Sequence, residues 1–155
     1  MSPSGSDRHE TANERLDRNW GELLQELRIT QTGLQLLSGF LLTLPFTQVF
    51  SGLDGRQKDL YLGLVVVASL SVGANLTPVM LHRRVFGEHV KERVVRVGHV
   101  LSQVVVAGVA VLVTGTATLI FSVVVDWGAA IVVAACLAIV LGMLLGVLPD
   151  RLDPW

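Results

Sequence analysis

Gln35, Asn75, His82, His99 and Gln103 are polar side chains set in or at the edges of long apolar runs, and Arg28 and Gln31 stand two turns and one turn ahead of Gln35. The chemistry within their reach is amide hydrogen bonding and, through imidazole, a change of charge near neutral pH. Polar groups are costly in hydrocarbon, so they should turn toward one another or toward water. Arg28, Gln31 and Gln35 form one stripe at helical spacing, and Ser71, Asn75 and His82 share a face further along. The spacing predicts a polar cluster in the cytoplasmic half of a bilayer, with His99 and Gln103 joining from a third helix. Such a cluster either fastens a small bundle or lines the inner vestibule of a pathway. Fastening is favoured, because ion-coupled carriers normally place an acidic group in the membrane, and Asp126, the nearest acid, falls in a turn.

Other chemistry is absent from the pattern. There is no Gly-rich phosphate loop, no Ser/His/Asp set in a recognisable context and no His/Cys/Glu group at metal spacing. His82 and His89 are seven apart, which alone is weak evidence for metal. The expectation is no enzyme, no metal, no cofactor and no nucleic acid partner. The single cysteine, Cys136, lies in an apolar run and reads as a small packing residue.

The elements that must carry these residues follow from where charge is missing. Of 155 residues, 51% are hydrophobic and 16% charged, outside the range of ordinary soluble domains. Charge is absent from Ile29 to Leu53, Leu60 to Leu81, Val97 to Val125 and Trp127 to Pro149. Each stretch exceeds the roughly 20 residues that cross a hydrocarbon core about 30 Å thick. The predicted fold is therefore an all-α integral membrane protein with spans near residues 30–51, 60–81, 99–125 and 128–148. Apart from Arg56 and Lys58, the 12 Lys and Arg lie in segments that share one side if both termini face the cytoplasm, as the positive-inside rule favours. Arg83, Arg84, Lys91, Arg93 and Arg96 of the second cytoplasmic segment can meet lipid headgroup phosphates.

Residues 1–10 are polar with nothing to bury and are expected to be disordered, leaving 11–155 as one four-helix membrane domain. With no basic start and early cleavage site, the first apolar segment reads as a retained anchor. Thr11 and Glu14 make a capping-box pattern. From there Leu16, Trp20, Leu23, Leu27, Leu34, Leu37 and Leu41 mark one apolar face, so an amphipathic cytoplasmic helix should continue without a break into the first span. Its polar face, with Glu14, Arg18, Glu22 and Glu26, is either plain solvated surface or a docking surface for a cytoplasmic partner or the second loop. Asp54-Gly55 and Asp126-Trp127-Gly128 are the external turns, and the second is so short that spans three and four must be antiparallel neighbours. Trp127 and Trp155 suit the two membrane interfaces. Pro45 and Pro78 leave the carbonyls of Leu41 and Ala74 without their usual donors, to be filled by neighbouring polar groups.

Span four carries Ala130, Ala134, Ala138, Gly142 and Gly146 at a strict spacing of four. Small side chains let helix backbones approach closely. The stripe fits either packing of spans three and four within one chain, with Ala110, Thr114, Thr118 and Ser122 opposite, or a homo-oligomer seam.

Three segments carry a resemblance: ERLDRNWGELLQELRITQTGLQLLSGFLLTLPFTQVF (Glu14 to Phe50), LDGRQKDLYL (Leu53 to Leu62) and TPVMLHRRVF (Thr77 to Phe86). In these the chain resembles an uncharacterised family of small actinobacterial membrane proteins, a domain of unknown function. The resemblance implies a four-helix protein of the bacterial plasma membrane and brings no assigned activity, catalytic residue or ligand. Proteins that look like it have been labelled sodium:proton antiporters. Together these readings predict a small accessory or scaffold membrane protein whose cytoplasmic face recruits a partner. The alternative is a small oligomeric ion- or proton-coupled carrier using the polar cluster.

Overall fold

A computed structural model describes residues 12–84 and 91–147, with side chains from 18 to 77 and 97 to 146 apart from Asn19, Trp20 and Leu23. The tail 1–10, the Thr11 cap, residues 85–90 and Trp155 lie outside the described residues. So do the side chains of Glu14, His82, Arg83, Arg84, Lys91, Arg93 and Arg96.

Helix α1 runs from Ala12 to Thr43 without a break, as the leucine periodicity predicts. It buries Leu27, Leu34 and Leu41, a seven-residue spacing that keeps one line of side chains against its neighbours. The apolar segment expected at 30–51 is not one helix. Pro45 has no N–H for the Leu41 carbonyl and its ring disfavours further α-helix. The chain passes instead into a 3-10 turn, Leu44–Phe46, and a one-turn helix α2, Gln48–Ser51. The Leu41 carbonyl is not left orphaned, because the buried Tyr61 hydroxyl donates to it at 3.1 Å. Phe50 closes over the Tyr61 ring edge-on, with centroids 5.1 Å apart, a favoured aromatic geometry.

Helix α3 spans Gly55–Arg84. Asp54 opens it reciprocally: its carboxylate accepts from the Gln57 N–H at 2.8 Å, and the Gln57 side-chain oxygen accepts from the Asp54 N–H at 2.9 Å. Two otherwise orphaned donors are satisfied at once. Tyr61, Leu64, Ala68, Ser71 and Asn75 then alternate at spacings of three and four and are all buried.

Helix α4, Lys91–Val124, is the centre of the assembly, packing against α1, α3 and the last helix. It buries Ser102, Val105, Leu112, Thr116, Leu119 and Ser122. Two glycines let it approach α3 closely. A Cβ on Gly108 would collide with the Ser71 side chain, and one on Gly115 with the Leu64 side chain. In the polar first turns of the third apolar stretch Gly98 and Ser102 are buried, while His99 and Gln103 are exposed.

Helix α5, Trp127–Gly142, is capped by Asp126, whose carboxylate accepts from the Ala129 N–H at 2.8 Å. It runs on into a π-helical turn, Met143–Val147. The link from α4 is so short that the two helices are antiparallel neighbours, as expected. Among the described residues α5 packs on α4 and on no other long helix.

Among the described residues, three stretches are long and apolar enough to cross a membrane: Gly55–Thr77, Val97–Val124 and Trp127–Gly146. The charge-free half of α1, Ile29–Thr43, is shorter than the roughly 20 residues a crossing needs. It is also diluted by Gln31, Thr32, Gln35 and Ser38.

The glycine contacts set a test. Gly108→Leu, forced against Ser71, should destabilise the bundle by about 1–3 kcal/mol. Gly142→Leu should change stability little, because a Cβ there meets nothing within 4 Å. Unfolding of the purified variants in mixed micelles, followed by helical circular dichroism, measures both; equal losses would contradict the packing described.

Candidate functional site

The polar groups of the bundle sort into two layers and a groove. At the end where α1 begins, Asn75 is buried and donates to the Leu27 carbonyl at 3.1 Å and to the Thr30 hydroxyl at 3.3 Å. Thr30 in turn donates to the carbonyls of Leu27, at 3.0 Å, and Glu26, at 3.2 Å. Ser102, buried on α4, donates to the Glu26 carboxylate over a long 3.5 Å. These bonds tie α1 to α3 and α4 at one level.

Of the residues singled out by spacing, the structure brings Asn75 into this layer. His99 and Gln103 lie one turn apart on α4, exposed along an open groove that Glu26 and Ser102 also line. Arg28, Gln31 and Gln35 are exposed on the other flank of α1. The reason is angular. At about 100° per residue, Arg28, Gln31 and Gln35 fall to one side of the Leu27, Leu34, Leu41 line, and Glu26 and Thr30 to the other. The second flank faces α3 and α4. Thr30 and Ser102 were not expected in the cluster, and Glu26 was read as part of the solvated or docking face of α1; the available signal was Glu26 and Thr30 standing one turn apart beside the leucine line.

The second layer sits at the opposite end, around the two turns. The Gln57 amide, buried, donates to the Ser122 carbonyl at 3.1 Å and to its hydroxyl at 3.3 Å. The Trp127 indole donates to the free oxygen of Asp54 at 3.1 Å. Asp54 thereby caps α3 and holds the first residue of α5. Its carboxyl is pushed below the ordinary aspartate value of 3.8, first by the Gln57 N–H and then by the Trp127 indole, which favour the charged form.

Between the layers, the covered face of α5 runs through Ala130, Ala134, Leu137 and Leu141. Along the small-residue stripe Ala130 is fully buried, Ala134 half-buried, and Ala138, Gly142 and Gly146 exposed. The space that opens is a cavity of about 960 Å³. Its walls are mostly apolar, from Leu60 and Leu64 of α3 to Leu145 of α5, and its polar end holds Glu26, His99, Ser102 and Gln103. No group of three or more His, Cys, Asp or Glu that could hold a metal occurs among the described residues. Ser38 and Thr116 keep hydroxyls without a partner among the described residues. Among the described residues the groove mouth offers hydrogen-bonding groups and one carboxylate, Glu26.

Two measurements follow. Asn75→Leu removes both interhelical bonds and should cost about 0.6 kcal/mol, up to about 1.7, in the same micellar unfolding assay. Asp54→Ala should lower the melting temperature at pH 7 and much less at pH 3. A carboxyl with a depressed pKa contributes stability above its unfolded value, and that contribution is lost as pH falls through the folded value. An Asp54→Ala deficit that stays constant from pH 7 to 3 would contradict this account.

No curated protein and no solved structure matches the chain. The one assignment comes from a family model that matches residues 9–149, which takes in both polar layers and the whole groove. The chain therefore belongs to DUF6328, a family of unknown function.

Proposed function

We propose that the chain is a four-span protein of the bacterial plasma membrane, with both termini in the cytoplasm, acting as a small accessory or scaffold protein that recruits a partner. The observation that carries this is the unbroken course of α1 from Ala12 to Thr43, with its first buried described residue at Leu27. On this unbroken helix the charged first half forms one continuous stem with the apolar half from Ile29 to Thr43. Arg18 and Glu22 on that stem are exposed and paired at 3.9 Å. The fourth crossing in this reading is the charge-free half of α1 completed through Leu44–Ser51. The Lys and Arg distribution supports the orientation, and the headgroup role of Arg83, Arg84, Lys91, Arg93 and Arg96 goes with it.

The binding pattern favours this reading over a carrier. Asn75 is engaged with the α1 backbone, and Gln31 and Gln35 face away from the groove. A carrier reading draws on the groove mouth, where Glu26 supplies the carboxylate that the apolar runs lack. A homo-oligomer through the exposed part of α5 is compatible with either.

Topology and transport are tested separately. In a Cys136→Ala background, a membrane-impermeant maleimide should label Lys58→Cys on intact cells and Arg18→Cys only after lysis. Labelling of Arg18→Cys from outside overturns the orientation. Purified protein in liposomes should give no proton or cation flux above empty liposomes between about pH 5.5 and 8.5, the window in which imidazole changes charge. Flux that Glu26→Gln abolishes would establish the carrier instead. For recruitment, one protein crosslinked to Arg18→Cys in cells should be lost on adding Glu22→Lys; retention of the same crosslink sinks the docking surface.

A further inference from the structure

The groove between α4 and α5 has the shape and polarity of a site for an amphiphile. From His99 to Gly115 it follows α4 for about 24 Å at 1.5 Å per residue, and its 960 Å³ lies at the upper end of the size that holds one drug-sized ligand. It is not sealed: Ala138, Gly142 and Gly146 on its rim are exposed, so an occupant enters sideways from the surroundings of the bundle. Glu26, His99, Ser102 and Gln103 gather at one end, and Thr114 is the single polar side chain further along the lining. A molecule with a polar head and a long apolar tail meets both halves of this lining.

Charge selects the head. Glu26 brings a carboxylate, held at the mouth by Ser102, and calls for a cation. Lys91, Arg93 and Arg96 lie in the opening turns of α4, ahead of His99, and are the bases that the sequence offers to a headgroup phosphate. An ammonium and a phosphate in one headgroup answer both. The α5 helix of a second copy does not, since Trp127–Gly142 carries no basic residue to meet Glu26.

We propose that this groove binds one aminophospholipid of the cytoplasmic leaflet, with its ammonium on Glu26 and one acyl chain laid between α4 and α5. His99 and Gln103 flank the headgroup and accept from the ammonium. The lack of side chains at Gly142 and Gly146 makes room for the acyl chain, so the small-residue stripe serves helix packing at Ala130 and lipid seating beyond it. The site rests on the protein residing in a bilayer, and it is independent of any partner at the α1 stem.

The test is native mass spectrometry of the purified full chain with equimolar phosphatidylethanolamine and phosphatidylglycerol of identical acyl chains. The wild type should retain the ethanolamine lipid about tenfold over the glycerol lipid, the worth of one hydrogen bond to a charged group. Glu26→Gln should bring the ratio to about one. Gly142→Leu, which fills the groove from an open position, should weaken both adducts, and Gln35→Ala on the opposite flank should leave them unchanged. Equal retention of the two lipids by the wild type overturns the proposal, as does a preference that survives Glu26→Gln. A lipid-free dimer that Gly142→Leu converts to monomer also overturns it, assigning the groove to a second copy. Because the measurement is made in detergent solution, its outcome does not depend on the labelling result for topology.

Discussion

A backbone carbonyl in apolar surroundings must be hydrogen-bonded by protein, since no water is there to do it. Proline breaks that condition wherever it enters a helix. At Pro45 the chain meets the demand with Tyr61, whose hydroxyl reaches the Leu41 carbonyl from the neighbouring helix. That one bond links the end of α1 to the second turn of α3, and Phe50 is stacked edge-on against the same ring. The turn that follows is fixed by Asp54 and Gln57, which satisfy each other's donors and then reach Trp127 and Ser122. The end of the bundle holding the turns is thus tied by polar contacts that all stem from satisfying helix termini.

The opposite end is tied differently. There α1 offers a continuous backbone, and Asn75 of α3 bonds to it directly. Between these two layers the leucine line of α1, the alternating face of α3 and the buried line of α4 make a shared core of Leu34, Leu41, Leu64, Val105, Leu112 and Leu119. Close approach at Gly108 and Gly115 supplies the van der Waals contact on which helix association in lipid depends. Helix α5 has no place in that core. It is pinned at its start by Asp126 and Trp127 and by the burial of Ala130, and keeps a half-buried face through Ala134, Leu137 and Leu141, beside which the groove opens.

How much of this was legible in the residues depends on the range of the force involved. Helix identity, the unbroken course of α1, the turns at Asp54 and Asp126, and the antiparallel pairing of α4 and α5 follow from periodicity, local hydrogen bonding and loop length. Pro45 announced a break and an orphaned Leu41 carbonyl, but not its partner, because Tyr61 is twenty residues away and reads alone as one aromatic in an apolar run. Gln57 looked like part of a short polar turn and is in fact buried against Ser122. Of the polar residues picked out by spacing, Asn75 joins an interhelical layer. His99 and Gln103 line the groove, and Arg28, Gln31 and Gln35 lie on an exposed flank.

The sequence by itself determined where charge is absent and which side chains share a helical face. Those properties depend on residue type and on the 3.6-residue turn alone. Only the tertiary structure decided which flank of the leucine line in α1 turns inward. Two polar flanks of similar composition border that line, and the choice between them is made by the neighbours: Asn75 and Ser102 stand on the side of Thr30 and Glu26. It likewise decided that the covered face of α5 runs through Ala130, Ala134, Leu137 and Leu141 and leaves Gly142 exposed. A spacing of four advances about 40° beyond each full turn, so the small-residue stripe winds off that face.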